Sequence, residues 1–207
     1  MPSKSGRSAS WGERRGSFSR ETNLARRTGV REEHRSVLIL TNGQRTEVDY
    51  FEALKLEPWV TADKVTVKFQ PGDPNGLVNR AATIRDDNAY SEAWAVCDLD
   101  EFDVTAAYDS AGDHRVKLAL SVPCFEVWLL LHVTDKRPGF NSASQVAAHL
   151  GKHVRGWDKA KLNFKDFQAG VSDAVTRAQR LGEPPDANPS TAVWRVIQSL
   201  RGDKIPQ

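Results

Sequence analysis

Ala93-Trp94-Ala95-Val96-Cys97-Asp98-Leu99-Asp100 decides how this chain reads. The apolar run from Ala93 to Cys97 has the length and composition of a strand buried on both faces. The acids that follow stand where that strand leaves its sheet. In open α/β sheets, ligands collect outside the carboxyl ends of the strands. Residues two apart in extended chain point the same way, so Asp98 and Asp100 aim two carboxylates at one place. Such a pair repels unless a proton or a cation lies between its members. A divalent metal with hard oxygen ligands, Mg²⁺ or Mn²⁺, answers that need. The alternative is that Asp100-Glu101 opens a helix and caps its N-terminus.

Working outward, the same alternation of strand and helix recurs. Val37 to Leu40 is a first buried strand, and Thr41 to Arg45 a turn. Asn42-Gly43 would ordinarily signal a hairpin, but a helical pattern follows, with Val48, Phe51 and Leu54 on one face. Thr46 is placed to cap it, with Asp49 three residues on. Lys64 to Phe69 reads as a second strand and residues 76–89 as a helix. Ala93 to Cys97 is the third strand, Phe102 to Ser110 a short helix ended by Ala111-Gly112-Asp113, and Val116 to Val122 a fourth strand. Pro123 suits a first helical turn, and Phe125 to His132 continues that helix. Beyond residue 133 only helices are expected: Ser142–Leu150, 164–181 and Thr191–Arg201, with a break at Gly182 to Asp186. The expectation is a Rossmann-like α/β fold. It has a mostly parallel sheet of about four strands and a helical carboxyl-terminal half. The expected divisions are a basic flexible arm over 1–34, an α/β core over 35–135 and a helical extension over 136–207.

With 207 residues the chain can build one substantial core. It is 39% apolar and 27% charged, ordinary for a globular protein. No apolar run approaches a membrane span. The first residues are polar and basic, without the apolar segment of a secretory signal, so the cytoplasm is the expected compartment. Two cysteines, Cys97 and Cys124, fall in apolar surroundings and read as buried thiols, not as a disulfide framework or zinc site. Net charge is only +2, but residues 1–36 hold nine Lys or Arg against four Asp or Glu. A basic arm on a mildly acidic body fits electrostatic contact with a polyanion, and fits a solubilising tail equally well.

Further acids recur at element junctions. Glu47 begins the first helix, and Glu126 lies in the first turn after the fourth strand. Each has a structural excuse, because acids at helix N-termini are favoured by the macrodipole. His132 ends an apolar helix and reads as structural. His149 and His153 have chelating spacing, but no carboxylate clearly joins them. Trp11, Trp59, Trp94, Trp128 and Trp194 show no stacking pattern for nucleic acid, and most read as core.

Taken in order, these segments resemble the RloB-like proteins, which carry a Toprim-type domain. Val37 to Phe51 is similar to that family's strand, Glu-Gly, Thr-Glu and Tyr-Phe signature. Ala95 to Asp100 resembles its Asp-x-Asp strand, and Ser121 to His132 its Pro-Cys-Phe-Glu segment. Gly156-Trp157-Asp158-Lys159 resembles its Gly-Tyr-x-Lys segment, and Asn188-Pro189-Ser190-Thr191 its Asn-Pro-Ser-Thr turn. The likeness covers about residues 15–200. It implies a metal-dependent nuclease centre, cleaving RNA or DNA, in a setting of defence against phage. Asp98, Asp100 and Glu126 would hold Mg²⁺ or Mn²⁺. Glu47 or Asn42 would position water, and Lys159 would offset phosphate charge. A neighbouring ABC-type or AAA ATPase is the implied partner.

The chain departs from that pattern at three places. Asn42 stands where the family has Glu, and an amide cannot act as a general base. Val122 replaces an Asn, and Trp157 replaces a Tyr. Three functional classes are therefore in play. The first is a nuclease held inactive until a partner senses infection. The second is a degenerate module that binds nucleic acid or the ATPase. The third is a receiver-like domain, which the helical second half fits poorly.

Overall fold

The structure, a computed structural model, describes residues 34–99, 104–136 and 138–203. The arm expected over 1–34, apart from His34, lies outside the described residues, as does Asp100.

The first four strands are β1 (Ser36–Thr41), β2 (Lys64–Phe69), β3 (Glu92–Asp98) and β4 (Lys117–Val122). They pair in parallel and lie in the order β2-β1-β3-β4. Between them run α1 (Thr46–Leu54), α2 (Pro74–Asp87) and α3 (Thr105–His114). Side chains alternate across a strand, and the core divides accordingly. Val37, Ile39, Trp94 and Val96 face a large cluster with Tyr50, Phe51 and Leu54 of α1. Leu38, Leu40, Ala93, Ala95 and Cys97 face a smaller one with Leu77, Val78 and Ala81 of α2. Both cysteines are buried free thiols.

After β4 come α4 (Glu126–Val133), α5 (Ala143–Leu150), α6 (Lys165–Gln168), α7 (Val171–Ala178) and α8 (Val193–Arg201). Trp128, Val146, Phe167, Val175 and Ile197 from these helices join the cluster that covers α1's face of the sheet. Helices from both sides of residue 135 thus share one core. No helix among the described residues is long and apolar enough to cross a membrane.

Four details differ from the sequence expectations. The sheet has a fifth strand, β5 (Ser190–Thr191), antiparallel to β4, with Ser121 opposite Thr191 and Val122 opposite Ser190. It is two polar residues long, so no apolar alternation announces it. Its hydroxyls are accommodated because Ser121 Oγ and Thr191 Oγ1 share a hydrogen bond of 2.9 Å. Second, α3 runs on through Gly112, ending where Arg115 turns left-handed at φ 54°, while its expected start at Phe102 lies outside the described residues. Third, the single helix expected over 164–181 is two. They meet at Gly170, where a Cβ would overlap the carbonyl of His132. Fourth, Thr46 does not cap α1; its N-cap is Arg45, without a side-chain hydrogen bond. Asp73 does cap α2, accepting from Gly76 N at 2.9 Å.

Strand order places the site. From β1 the chain crosses through α1 to β2 on one side, while β3 and β4 extend on the other. The carboxyl ends of β1 and β3 therefore flank the switch point of the sheet, where an α/β fold opens a crevice.

Candidate functional site

A cleft of about 470 Å³ opens at that switch point. Residues 42–47 of the β1–α1 junction, Asp98 at the end of β3, and residues 158–160 line it. The loop at 158–160 comes from far along the chain, between α5 and α6. Asp158 shapes it by accepting from Ala160 N at 2.9 Å. Thr46 fastens it: its hydroxyl donates to the Lys159 carbonyl at 2.9 Å. That bond is where the Thr46 hydroxyl goes in place of the expected cap.

Glu47, in the first turn of α1, is 3% exposed. Its carboxylate folds back over Gly43, close enough that a Cβ on Gly43 would overlap it. The turn holding Gly43 is closed by the Thr41 hydroxyl, which donates to the Gly43 carbonyl at 2.9 Å. Burial raises the pKa of Glu47, its own backbone N–H lowers it, Glu126 raises it again and Lys159 opposes that rise.

Asp98 is the last residue of β3, and its Oδ1 accepts from Phe125 N at 2.7 Å. That bond ties the end of β3 to the turn that launches α4. Burial lifts the pKa of Asp98 well above the usual carboxylate range. The charges of Glu47 and Glu126 lift it further, against Lys159 and the Phe125 N–H. Glu126 opens α4 and is 1% exposed, and Lys159 Nζ lies 2.9 Å from its Oε1. Neither Glu126 oxygen accepts a well-directed hydrogen bond. Partial burial works against the Lys159 charge. The carboxylates of Glu126, Asp98 and Glu47 outweigh it, and the pKa of Lys159 is raised.

Four of the residues singled out from sequence, Glu47, Asp98, Glu126 and Lys159, therefore form one electrostatically coupled group from four separate segments. Asn42 lines the same cleft, and its backbone N–H donates to the Val96 carbonyl at 3.2 Å. His149 and His153 lie beside each other, ring centroids 5.3 Å apart, and line no part of this cleft. His132 is buried, between the Tyr50 hydroxyl at 3.0 Å and the Trp128 carbonyl at 2.8 Å. Sequence reasoning misses Gly43, Thr46 as a loop anchor, and Arg45, which is exposed at the cleft and makes no ion pair among the described residues. A glycine between strand and helix is a local signal for Gly43. For the other two no local signal exists, because their roles depend on a distant loop and on the cleft itself.

The donor set suits a hard divalent cation: the acidic groups raise one another's pKa, and the buried Glu126 carboxylate is met by the Lys159 ammonium and the weakly donating Cys124 thiol. Among the described residues, however, no three His, Cys, Asp or Glu side chains are already gathered at metal-binding separation. Asp100 lies outside the described residues.

Comparison with known protein families matches residues 37–200 to the RloB-like protein family. No curated protein and no solved structure matches the chain. The match takes in both strands that flank the cleft, all four coupled residues and the β5 turn, and the chain belongs to the RloB-like protein family.

Proposed function

We propose that the protein is a Mg²⁺- or Mn²⁺-dependent nuclease that cleaves RNA or DNA phosphodiesters as an effector of defence against phage. The observation that carries this reading is that Glu47, Asp98 and Lys159 line the carboxyl-end crevice of the sheet, with the buried Glu126 paired to Lys159.

Asp98 and Glu126, with Asp100, are the residues that would hold the metal, and Glu47 would complete or orient the set. When bound, the ion supplies neutralisation of phosphate charge and stabilisation of the attacking and leaving oxygens. The chain supplies the rest. Asn42 can orient a water through its amide but cannot accept the proton. Glu47, on the same turn and with its pKa raised by burial, would do so. Arg45, exposed at the cleft, offers a planar guanidinium to phosphate oxygens. Phe125 N–H holds Asp98 in its orientation. Family resemblance adds a partner, an ABC-type or AAA ATPase that restrains the nuclease until infection, and the cytoplasm as its setting.

Asn42 favours a second reading, a degenerate module that binds nucleic acid or the ATPase without cleaving. One experiment separates them. End-labelled RNA and DNA are incubated with the full chain and Mn²⁺, alone and with the ATPase, alongside Asp98→Asn and an EDTA control. The nuclease reading expects cleavage that EDTA abolishes and that Asp98→Asn lowers by about a hundredfold or more. Binding of the labelled strands with no cleavage under either condition would establish the degenerate module instead.

A further inference from the structure

Two carboxylates in this fold, one half-buried and one buried, are compensated very differently. Glu92, at the opposite end of β3, has a side chain 13% exposed, with Arg35 and Lys117 each 3.0 Å away. It also accepts hydrogen bonds from Ser199 and from the Trp94 indole. That is how a carboxylate is saturated when its task is structural, since removing a charge from water is costly unless its oxygens are fully partnered. Glu126 is more deeply buried and less well served. Among the described residues its one charge partner is Lys159, 2.9 Å from Oε1, with the weakly donating Cys124 thiol beside it.

Lys159 is also unlike a structural partner. Its side chain is 58% exposed, so the ammonium reaches Glu126 from the solvent side of the cleft. Its loop is not held by that ion pair alone, because the Thr46 hydroxyl grips the main-chain carbonyl of Lys159. The ammonium can leave while the loop stays. Asp98 and Glu47 act on the same ammonium, so one monovalent charge answers three carboxylates.

We propose that Lys159 is the resident counter-ion of the cleft and that a divalent cation binds by displacing its ammonium from Glu126. The inference rests on the metal-site reading above and adds a rule to it: Glu126 carries the ammonium or the ion, not both. A dication gains about twice the Coulomb energy of a monocation at the same carboxylates, and once seated it repels the ammonium. The four-carbon stem then turns the charge toward the mouth of the cleft, beside Arg45, where a compact ammonium serves as a point charge for phosphate. Metal binding and polyanion binding are thereby coupled, since the ion releases a cation that the acids otherwise occupy.

Mn²⁺ binding to the full chain, followed by the electron paramagnetic resonance of the free ion at constant ionic strength, tests this on wild type, Lys159→Met and Lys159→Arg. Met keeps the apolar stem and the carbonyl that Thr46 holds; Arg keeps the charge. The expected result is Mn²⁺ binding about tenfold tighter in Lys159→Met, and within about twofold of wild type in Lys159→Arg. Measurable binding that is equal or weaker in Lys159→Met overturns the displacement and leaves the metal site standing. No binding in either protein overturns the metal site and the displacement together. Should Lys159→Met fail to fold, acetylation of wild-type lysines read by mass spectrometry decides. Lys159 reacts several-fold faster in saturating Mg²⁺ if it is displaced, and an unchanged rate overturns the proposal.

Discussion

A single missing Cβ gives Glu47 its place. Its carboxylate lies over Gly43, where a methyl group would overlap it. The obstructed group is the far end of a flexible side chain, not backbone, so Gly43→Ala should move the carboxylate and spare the fold. We expect a stability loss of about 1 kcal/mol, the low end for overpacking, and Mn²⁺ affinity lowered by about tenfold. Thermal melting and a Mn²⁺ titration check the two parts, and unchanged affinity would remove Glu47 from the site. At this scale much is legible in the sequence. Asp98 announces itself because it ends an apolar run, and Glu47 and Glu126 because each begins a helix after a strand. Lys159 is legible only as a basic residue in a family-like segment. Its partner, Glu126, is distant in sequence, and no periodicity links two residues that meet through a loop crossing the cleft. The role of Thr46 is misread for the same reason: a hydroxyl at a helix start has a local use, and here a non-local one prevails.

Helix α4 sets the limits at the scale of elements. Every residue from Glu126 to His132 is buried, so both ends of the helix place an ionisable group inside the protein. Glu126 is buried behind the cleft and meets it through Lys159. His132, at the other end, bonds Tyr50 and the Trp128 carbonyl, and burial lowers its pKa to about 4. It is neutral in the fold, whereas the unfolded chain protonates it below its ordinary value of 6.5. Its contribution is therefore complete above pH 6.5 and is lost as pH falls toward 4, by up to about 3 kcal/mol. Melting curves across that range should show a steep acid side in wild type and a shallower one in His132→Gln, which keeps an acceptor for Tyr50 and carries no charge. Parallel curves would contradict this assignment. Two other element-level features escape sequence reading. The strand β5 is too short and polar to show a pattern, and the break between α6 and α7 arises because Gly170 packs against the His132 carbonyl. Both are consequences of tertiary contact.

At the scale of the whole molecule, strand order does most of the work. β1 and β3 are neighbours, and their carboxyl ends meet where the chain switches direction across the sheet. That adjacency brings Glu47 and Asp98 to one cleft, and the loop at 158–160 closes it from the helical half, its Lys159 reaching the buried Glu126. The α/β class and the first four strands are legible because alternating apolar strands and amphipathic helices admit few arrangements. The closeness of the acids to a lysine from the helical half is not, since it depends on how α5 and α6 pack on the sheet.

We propose that this cleft binds a divalent cation between Asp98 and Glu126. Paramagnetic broadening of backbone amide signals at substoichiometric Mn²⁺ tests it most directly, in wild type and in Asp98→Asn, which keeps an acceptor for Phe125 N–H. Selective loss of signals from residues 42–47, 98–99 and 125–127, restored by excess Mg²⁺, is the expected result. In Asp98→Asn no such loss is expected, together with a melting temperature at or above that of wild type, because one of three repelling carboxylates is gone. Broadening centred elsewhere, or unchanged in Asp98→Asn, would contradict it.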